Sequence, residues 1–420
     1  MSLNLAHDLA VQTAATHPDA APWLTPASYW PALTAATADL PTPVGALHLG
    51  ALRHNTHDML ARAAGTPIRV ASKSLRVRGV LEAVLALPGY SGVLAYTLAE
   101  ALWLAETIDD IVVGYPTADW DAIRTLAGSA AAARQVTLMV DSLDQLDFID
   151  SVVAPGRRET IRLCLELDAS WNAPVLGHLG VWRSPVHSVD QARALALAIV
   201  SRPGFALVGM MAYEAQVAGL GDRPAGHPVQ GGLNRWVRNR SIVDISARRA
   251  AAVAAVRQVA ELEFVNGGGT GSLESTHADP SVTDIAAGSG FFGGHLFDTY
   301  SGFTPAPAAA FALSVVRKPT PASATLLGGG WIASGPPGAD RSPRLVWPEG
   351  LRLVPREMAG EVQSPVTGAA AQTLGVGDRV WLRHTKSGEL SEHLNEFAVV
   401  DNGQVVDMLP TYRGEGKAFL

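Results

Sequence analysis

The 420-residue sequence predicts an α/β fold, a (β/α)8 barrel of the TIM type followed by a C-terminal all-β domain. Three observations predict it. Between residues 68 and 288, eight short apolar runs rich in β-branched residues alternate with helical stretches. Each run is apolar almost throughout, as expected of strands covered on both faces. Beyond Pro305 and Pro307 the pattern changes to alternating segments typical of antiparallel strands. An open doubly wound sheet is the rival arrangement, but eight strand–helix units in about 230 residues fit a closed barrel better.

The elements follow in order. Residues 1–41 read as a partly helical arm with aromatic patches at Trp23, Tyr29 and Trp30. Residues 1–20 lack a basic start followed by an apolar core, so no signal peptide is expected. The barrel domain is assigned to 42–310 and the β-domain to 311–420. Thr42-Pro43 leads into a short strand at 46–49 and a helix at 52–64. The barrel strands are expected at 68–71, 92–96, 111–115, 136–141, 161–168, 206–213, 263–267 and 285–288. Helices are expected at 80–87, 99–105, 120–126, 190–200 and 244–262. The Gly- and Pro-rich gap between Tyr213 and Asp244 reads as a long functional loop. Strands of the β-domain are expected at 311–316, 324–328, 351–354, 379–382, 396–400 and 404–408, with Asn402-Gly403 as a hairpin turn.

Composition narrows the function. Apolar residues make up 48% and charged residues 17%, which allows a large core. A net charge of −7 argues against a nucleic-acid or membrane-surface partner. Cys164 is the single cysteine, so an intrachain disulfide and a thiolate metal cluster are excluded. No apolar run reaches the roughly 18 residues of a membrane span. A cytoplasmic enzyme acting on a small molecule is the expectation.

In such a barrel the chemistry sits at the C-terminal ends of the strands. The first strand ends at Ser72-Lys73-Ser74. A lysine there, if partly desolvated, becomes a usable nucleophile or base. Other strand ends carry Tyr115, Asp141, Asp168, Tyr213 and Glu214. The seventh ends in Gly267-Gly268-Gly269-Thr270-Gly271 and the eighth in Gly288-Ser289-Gly290. Consecutive glycines let backbone N–H groups approach an anion, and these are the two loops where barrels bind phosphate. A lysine opposite a phosphate cradle suggests pyridoxal 5′-phosphate. Class I aldolases also combine lysine and phosphate, with the lysine on a later strand.

The motifs together resemble the fold type III, alanine-racemase-like pyridoxal-phosphate enzymes, and within them the D-threonine aldolase and D-serine dehydratase group. Thr42-Pro43 with Leu47, Leu49, Leu52 and Asn55 is similar to the family's opening. Arg69-Val70-Ala71-Ser72-Lys73 resembles its cofactor-lysine strand, Met211-Ala212-Tyr213-Glu214 its sixth-strand motif, and Asn266–Gly271 with Gly288-Ser289 its phosphate loops. Residues 376–384 and 403–407 look like its C-terminal β-domain. The resemblance implies that Lys73 holds the cofactor as a Schiff base and serves as a base. Tyr213 would lie beside the cofactor, and Gly268, Gly269, Thr270, Gly271, Gly288 and Ser289 would hold its phosphate. It also implies a homodimer.

Two segments depart from the family. The group binds a divalent metal through a His-x-Cys or His-x-Asp pair, where this chain reads His384-Thr385-Lys386. An ammonium cannot ligate a cation. Either Lys386 replaces the metal, or His384 keeps one with Glu389, Glu392 or His393. After the fifth strand the family carries an arginine, whose place falls to Arg183 or His178. The expected function is a pyridoxal-phosphate lyase acting on a D-β-hydroxy amino acid, an aldolase or a dehydratase, with Lys73, His384 and Lys386 catalytic. An amino-acid racemase is the alternative and needs a second base, for which Tyr412 is the β-domain's tyrosine. A non-catalytic cofactor carrier is the third reading.

Overall fold

The computed structural model describes residues 3–6, 21–174, 176–336, 338–386 and 388–420. The expectations for residues 7–20, including much of the arm and of the signal-peptide stretch, lie outside them. The chain divides into two compact units, one of Met59–Lys73, Leu85–Gly288 and Phe419–Leu420, the other of Met1–Asp58, Ser74–Val84 and Ser289–Ala418.

The first unit is a closed barrel of eight strands. They are β1 (Ile68–Ala71), β2 (Tyr90–Ala95), β3 (Ile111–Val113), β4 (Val136–Val140), β5 (Ile161–Glu166), β6 (Phe205–Ala212), β7 (Phe264–Gly267) and β8 (Asp284–Ala287). All neighbours are parallel, and β8 pairs back onto β1 through Ile285 opposite Ile68. Each expected run became a strand because both of its faces are covered: every residue of β3 and β4 is buried. Val112, Met139, Cys164, Val208, Met211 and Phe264 pack together as a core cluster. Gly209 is required there, because the Phe264 ring fills the space of a side chain. Burial raises the Cys164 thiol well above its usual range, so this cysteine is core rather than chemistry. At the N-terminal ends of the strands, the buried Arg69 guanidinium meets Asp284 at 2.8 Å and Asp110 at 3.0 Å.

One connection differs from expectation. The helix expected at 244–262 runs over Pro228–Arg257, taking half of what read as loop. Pro228 sits in the first helical turn, where its missing N–H has no partner to lose. Gly231 is a packing residue: a Cβ there would lie 2.6 Å from the Asp222 carbonyl oxygen.

The second unit is built on a nine-stranded sheet. Strands arise at the expected places over Ala309–Thr320, Ser323–Leu327, Leu351–Leu353, Arg379–Arg383, Glu396–Asp401 and Gln404–Pro410. The turn between the last two holds Asn402 and Gly403 at φ of 49° and 75°, as a tight hairpin requires. Arg344–Trp347 and Gln363–Gly368 are additional strands. The N-terminal strand Val44–His48 belongs to this sheet, antiparallel to Ala309–Thr320 and parallel to Glu396–Asp401. The helix Pro26–Ala36 buries Tyr29, Trp30 and Leu33 in a cluster with Val44, Ala310 and Trp381. The Trp381 indole N–H donates to Thr34 at 2.8 Å.

Candidate active site

Strand β1 turns directly into a 3-10 turn, Ser72–Ser74, which carries Lys73 at the C-terminal end of the barrel. Ser72 is fully buried and its hydroxyl donates to the Leu94 carbonyl at 3.2 Å, tying this turn to β2. The Lys73 amine donates to the Tyr115 hydroxyl at 3.3 Å. Tyr115 follows β3 by two residues. The same hydroxyl accepts from the Arg183 guanidinium at 3.4 Å. Burial would raise the Tyr115 phenol, but the charges and hydrogen bonds of Lys73 and Arg183 outweigh it and hold the group below its usual value.

Arg183 is the centre of this cluster. Its guanidinium lies over the Tyr115 ring at 4.9 Å and over the Tyr213 ring at 4.8 Å. It also meets the Glu166 carboxylate at 3.3 Å. Glu166 is the last residue of β5 and is 3% exposed. Burial pushes its carboxyl up to about 7, against the attraction of Arg183. Burial likewise raises the Tyr213 phenol. Of the two candidates for the arginine's place, Arg183 meets the cluster, while His178, on a small hairpin of Trp171–Ala173 and Gly177–Leu179, stacks on Trp182 at 3.8 Å.

The strand-end acids Asp141 and Asp168 are occupied locally. Asp141 accepts from the Gln145 amide at 2.7 Å. Asp168 accepts from the Ser170 backbone N–H at 2.8 Å, from its hydroxyl at 2.7 Å and from His187 at 3.2 Å.

Beside Tyr213 lies the loop after β7. Gly268 has φ of +80°, and a Cβ on it would meet the Ile285 Cγ2 at 2.6 Å. A Cβ on Gly269 would meet Ala218 at 2.9 Å and the Tyr213 ring at 3.6 Å. The first two amides are used within the protein: Gly268 N–H donates to Glu214 at 3.0 Å and Gly269 N–H to the Ser272 hydroxyl at 3.1 Å. These glycines shape the loop that continues through Thr270 and Gly271. Gly288 and Ser289 follow β8 directly, in a turn. A strand-end amine bonded to a phenol, with a glycine turn that leaves no room for side chains at Gly268 and Gly269, suits a phosphorylated carbonyl cofactor.

In the second unit, His384 is 1% exposed and edge-on to Phe292. Neither ring nitrogen makes a well-formed hydrogen bond, although the Ala309 backbone opposes the lowering of its pKa. Burial lowers its pKa, with Glu389 opposing. Glu389 accepts the backbone N–H groups of Thr385 at 2.9 Å and Lys386 at 2.8 Å. Glu392 pairs with Arg76, and His393 stacks on Trp331 at 5.0 Å. Among the described residues no three His, Cys, Asp or Glu side chains gather to hold a metal ion. With Lys386 at the second-ligand position, this donor set does not fit a divalent metal. Tyr412 is 1% exposed, inside its own unit.

Residues 47–265 match the alanine racemase N-terminal domain family. The chain belongs to that family. The family's enzymes, aldolases, dehydratases and racemases, work with pyridoxal phosphate. Among solved structures, a D-threonine aldolase from Filomicrobium marinum has 19% identity and a TM-score of 0.72, over 90% of this chain and 96% of that one. A D-threo-3-hydroxyaspartate dehydratase from Delftia sp. HT23 has 16% identity and a TM-score of 0.67, over 89% and 97%. The alanine racemase of Bacillus anthracis has 13% identity and a TM-score of 0.57, over 89% and 98%. At these identities the likeness is one of fold. A comparison with curated proteins finds no match.

Within this family frame, sequence reasoning assigned Lys73, Arg183 and Tyr213 to the site, and the barrel brings these three together around Tyr115. Glu166 joins them without a sequence expectation. Its signal was a carboxylate between Leu165 and Leu167, ahead of the Asp168 that ends the run 161–168.

Proposed function

We propose that this chain is a pyridoxal-phosphate lyase acting on a D-β-hydroxy amino acid, by aldol cleavage or by dehydration. The observation that carries the reading is the Lys73 amine at the end of β1, 3.3 Å from a Tyr115 hydroxyl that Arg183 also engages. In this reading Lys73 holds the cofactor covalently, and Thr270, Gly271 and Ser289 hold its phosphate, with Gly268, Gly269 and Gly288 keeping the backbone close. When bound, the cofactor stabilises negative charge at the substrate Cα.

The remaining steps belong to the chain's own residues. The Lys73 amine takes or returns the proton at the substrate Cα. Tyr115 and Tyr213 flank Arg183, which fixes an oxygen atom on that face by its charge and planar donors. Glu166 neutralises part of that charge when ionised. The substrate hydroxyl is assigned to His384, with the Lys386 ammonium as electrostatic support, on the sequence resemblance. A buried imidazole lacking a good hydrogen bond costs about 1–3 kcal/mol, an expense more usual at functional sites than in passive cores. No step is assigned to a metal. A racemase is disfavoured because the surroundings of Tyr412, its candidate second base, do not resemble the racemase motif. The homodimer remains an inference from the resemblance alone.

The test is direct. Purified protein is expected to show a visible absorbance band that borohydride abolishes, with the modified peptide containing Lys73. Incubation with D-threonine, D-serine and D-threo-3-hydroxyaspartate is expected to release an aldehyde or a keto acid. Racemisation without either product would exclude the lyase. Activity is expected to survive chelator and to fall in Lys386→Ala; stoichiometric metal lost on His384→Ala would sink the replacement of metal by lysine.

A further inference from the structure

The glycine loop after β7 is surrounded by buried polar groups. Glu214, 2% exposed, accepts the Gly268 N–H at 3.0 Å on one carboxylate oxygen and the Thr276 hydroxyl at 2.7 Å on the other. It thereby joins the loop to the following helix, Leu273–His277. Its charge is balanced by Arg249, which lies 3.4 Å from Glu214 and 3.0 Å from Asp279. Arg249 is 1% exposed and its guanidinium occupies the space a side chain on Gly267 would need.

On the other side the loop carbonyls are held by guanidinium groups. Arg62 donates to the Thr270 carbonyl at 2.7 Å and Arg238 to the Gly271 carbonyl at 3.4 Å. Ser272 N–H donates to the Gly269 carbonyl at 3.0 Å. In a planar trans peptide the C=O and the following N–H point in opposite directions. Drawing the Thr270 carbonyl toward Arg62 therefore turns the Gly271 N–H away from Arg62. Drawing the Gly269 carbonyl toward Ser272 does the same for the Thr270 N–H. Cationic groups on the carbonyls also polarise the peptides they hold.

We infer that Glu214, Thr276 and Arg62 form a preorganising frame that fixes the glycine loop and the direction of its Gly271 amide, and so sets the affinity for the cofactor's phosphate group. These are positioning residues; none is assigned a contact with the cofactor. The inference rests on the pyridoxal-phosphate reading above. Preorganisation acts on affinity by removing the ordering cost at the moment of binding.

The experiment compares two ligands that differ in the phosphate alone. Apo-protein is titrated with pyridoxal 5′-phosphate and with pyridoxal, followed by the visible band and by tryptophan fluorescence. Glu214→Gln and Arg62→Gln are each expected to raise the Kd for the phosphorylated ligand by about tenfold or more, the scale of one charge-assisted hydrogen bond. Pyridoxal is expected to bind each variant as it binds the wild type. Equal weakening of both ligands, or no weakening of either, overturns the frame. If wild type takes up neither ligand, the cofactor reading fails and the frame with it. If wild type binds the phosphorylated ligand and the variants match it, the frame alone fails. Should Glu214→Gln not fold, Thr276→Val and Arg62→Gln decide the same comparison.

Discussion

Glu166 stands out among the side chains of the barrel mouth because burial and an arginine pull it in opposite directions. Burial is the larger influence, and the carboxyl is pushed up from 4.5 to about 7. The consequence for stability has a definite sign. Between these two values the unfolded chain has lost the proton while the folded chain keeps it. The folded state then binds more protons, so stability falls as pH rises through that window and the loss is complete above it. The size is about 3 kcal/mol for this one group. Glu166→Gln cannot ionise, yet its amide oxygen can still accept from Arg183. Apo-protein carrying this substitution is expected to lose less of its thermal midpoint between pH about 5 and about 8 than wild type does. Parallel curves for the two proteins would show that Glu166 is ionised in the fold at neutral pH. At this scale the sequence was readable where a residue broke its surroundings at a strand end, as Lys73 does. It was not readable where the charged group closed an apolar run, because periodicity reports that run as core.

At the scale of elements, the barrel strands were legible because burial on both faces makes each one predominantly apolar. The sheet strands Arg344–Trp347 and Gln363–Gly368 were not: the first is half-buried, and the second contains Pro365 and Gly368, which read as breakers. The helix Pro228–Arg257 was hidden by Gly231 and Gly232, which resemble a loop although Gly231 serves close packing. The same distinction predicts unequal effects at two glycines of the barrel unit. Gly65 has φ of +96° with nothing within 4 Å of a Cβ, so Gly65→Ala meets backbone strain alone, about 1 kcal/mol. Gly268 has comparable φ and the Ile285 methyl 2.6 Å away, so Gly268→Ala adds overlap to strain and is expected to cost about 2–4 kcal/mol. Chemical denaturation of both variants checks this. Equal losses would mean that the glycine loop relaxes freely and is not held in one shape.

For the whole molecule, the decisive fact is that the chain's order is not the order of its sheets. Val44–His48 precedes the barrel in sequence but takes both its partners from beyond it, Ala309–Thr320 and Glu396–Asp401. Sequence periodicity marks such a strand without naming its neighbours, so 42–310 reads as one continuous domain. The helix Pro26–Ala36 depends on the same distant residues, since Tyr29, Trp30 and Leu33 pack with Ala312, Trp381 and Val400. A fragment ending at residue 310 keeps every barrel strand but strips this layer. Each large apolar side chain exposed costs about 1.5–3 kcal/mol, and several together approach the 5–15 kcal/mol that typically separates folded from unfolded chains. The fragment also leaves Val44–His48 as an unpaired strand able to pair with other copies. Residues 1–310 are therefore expected to emerge from size-exclusion chromatography as aggregate, or to melt well below the full chain. A monomeric fragment with the full chain's midpoint would show that the barrel is stable without the sheet, and that the N-terminal strand contributes little to the unit it joins.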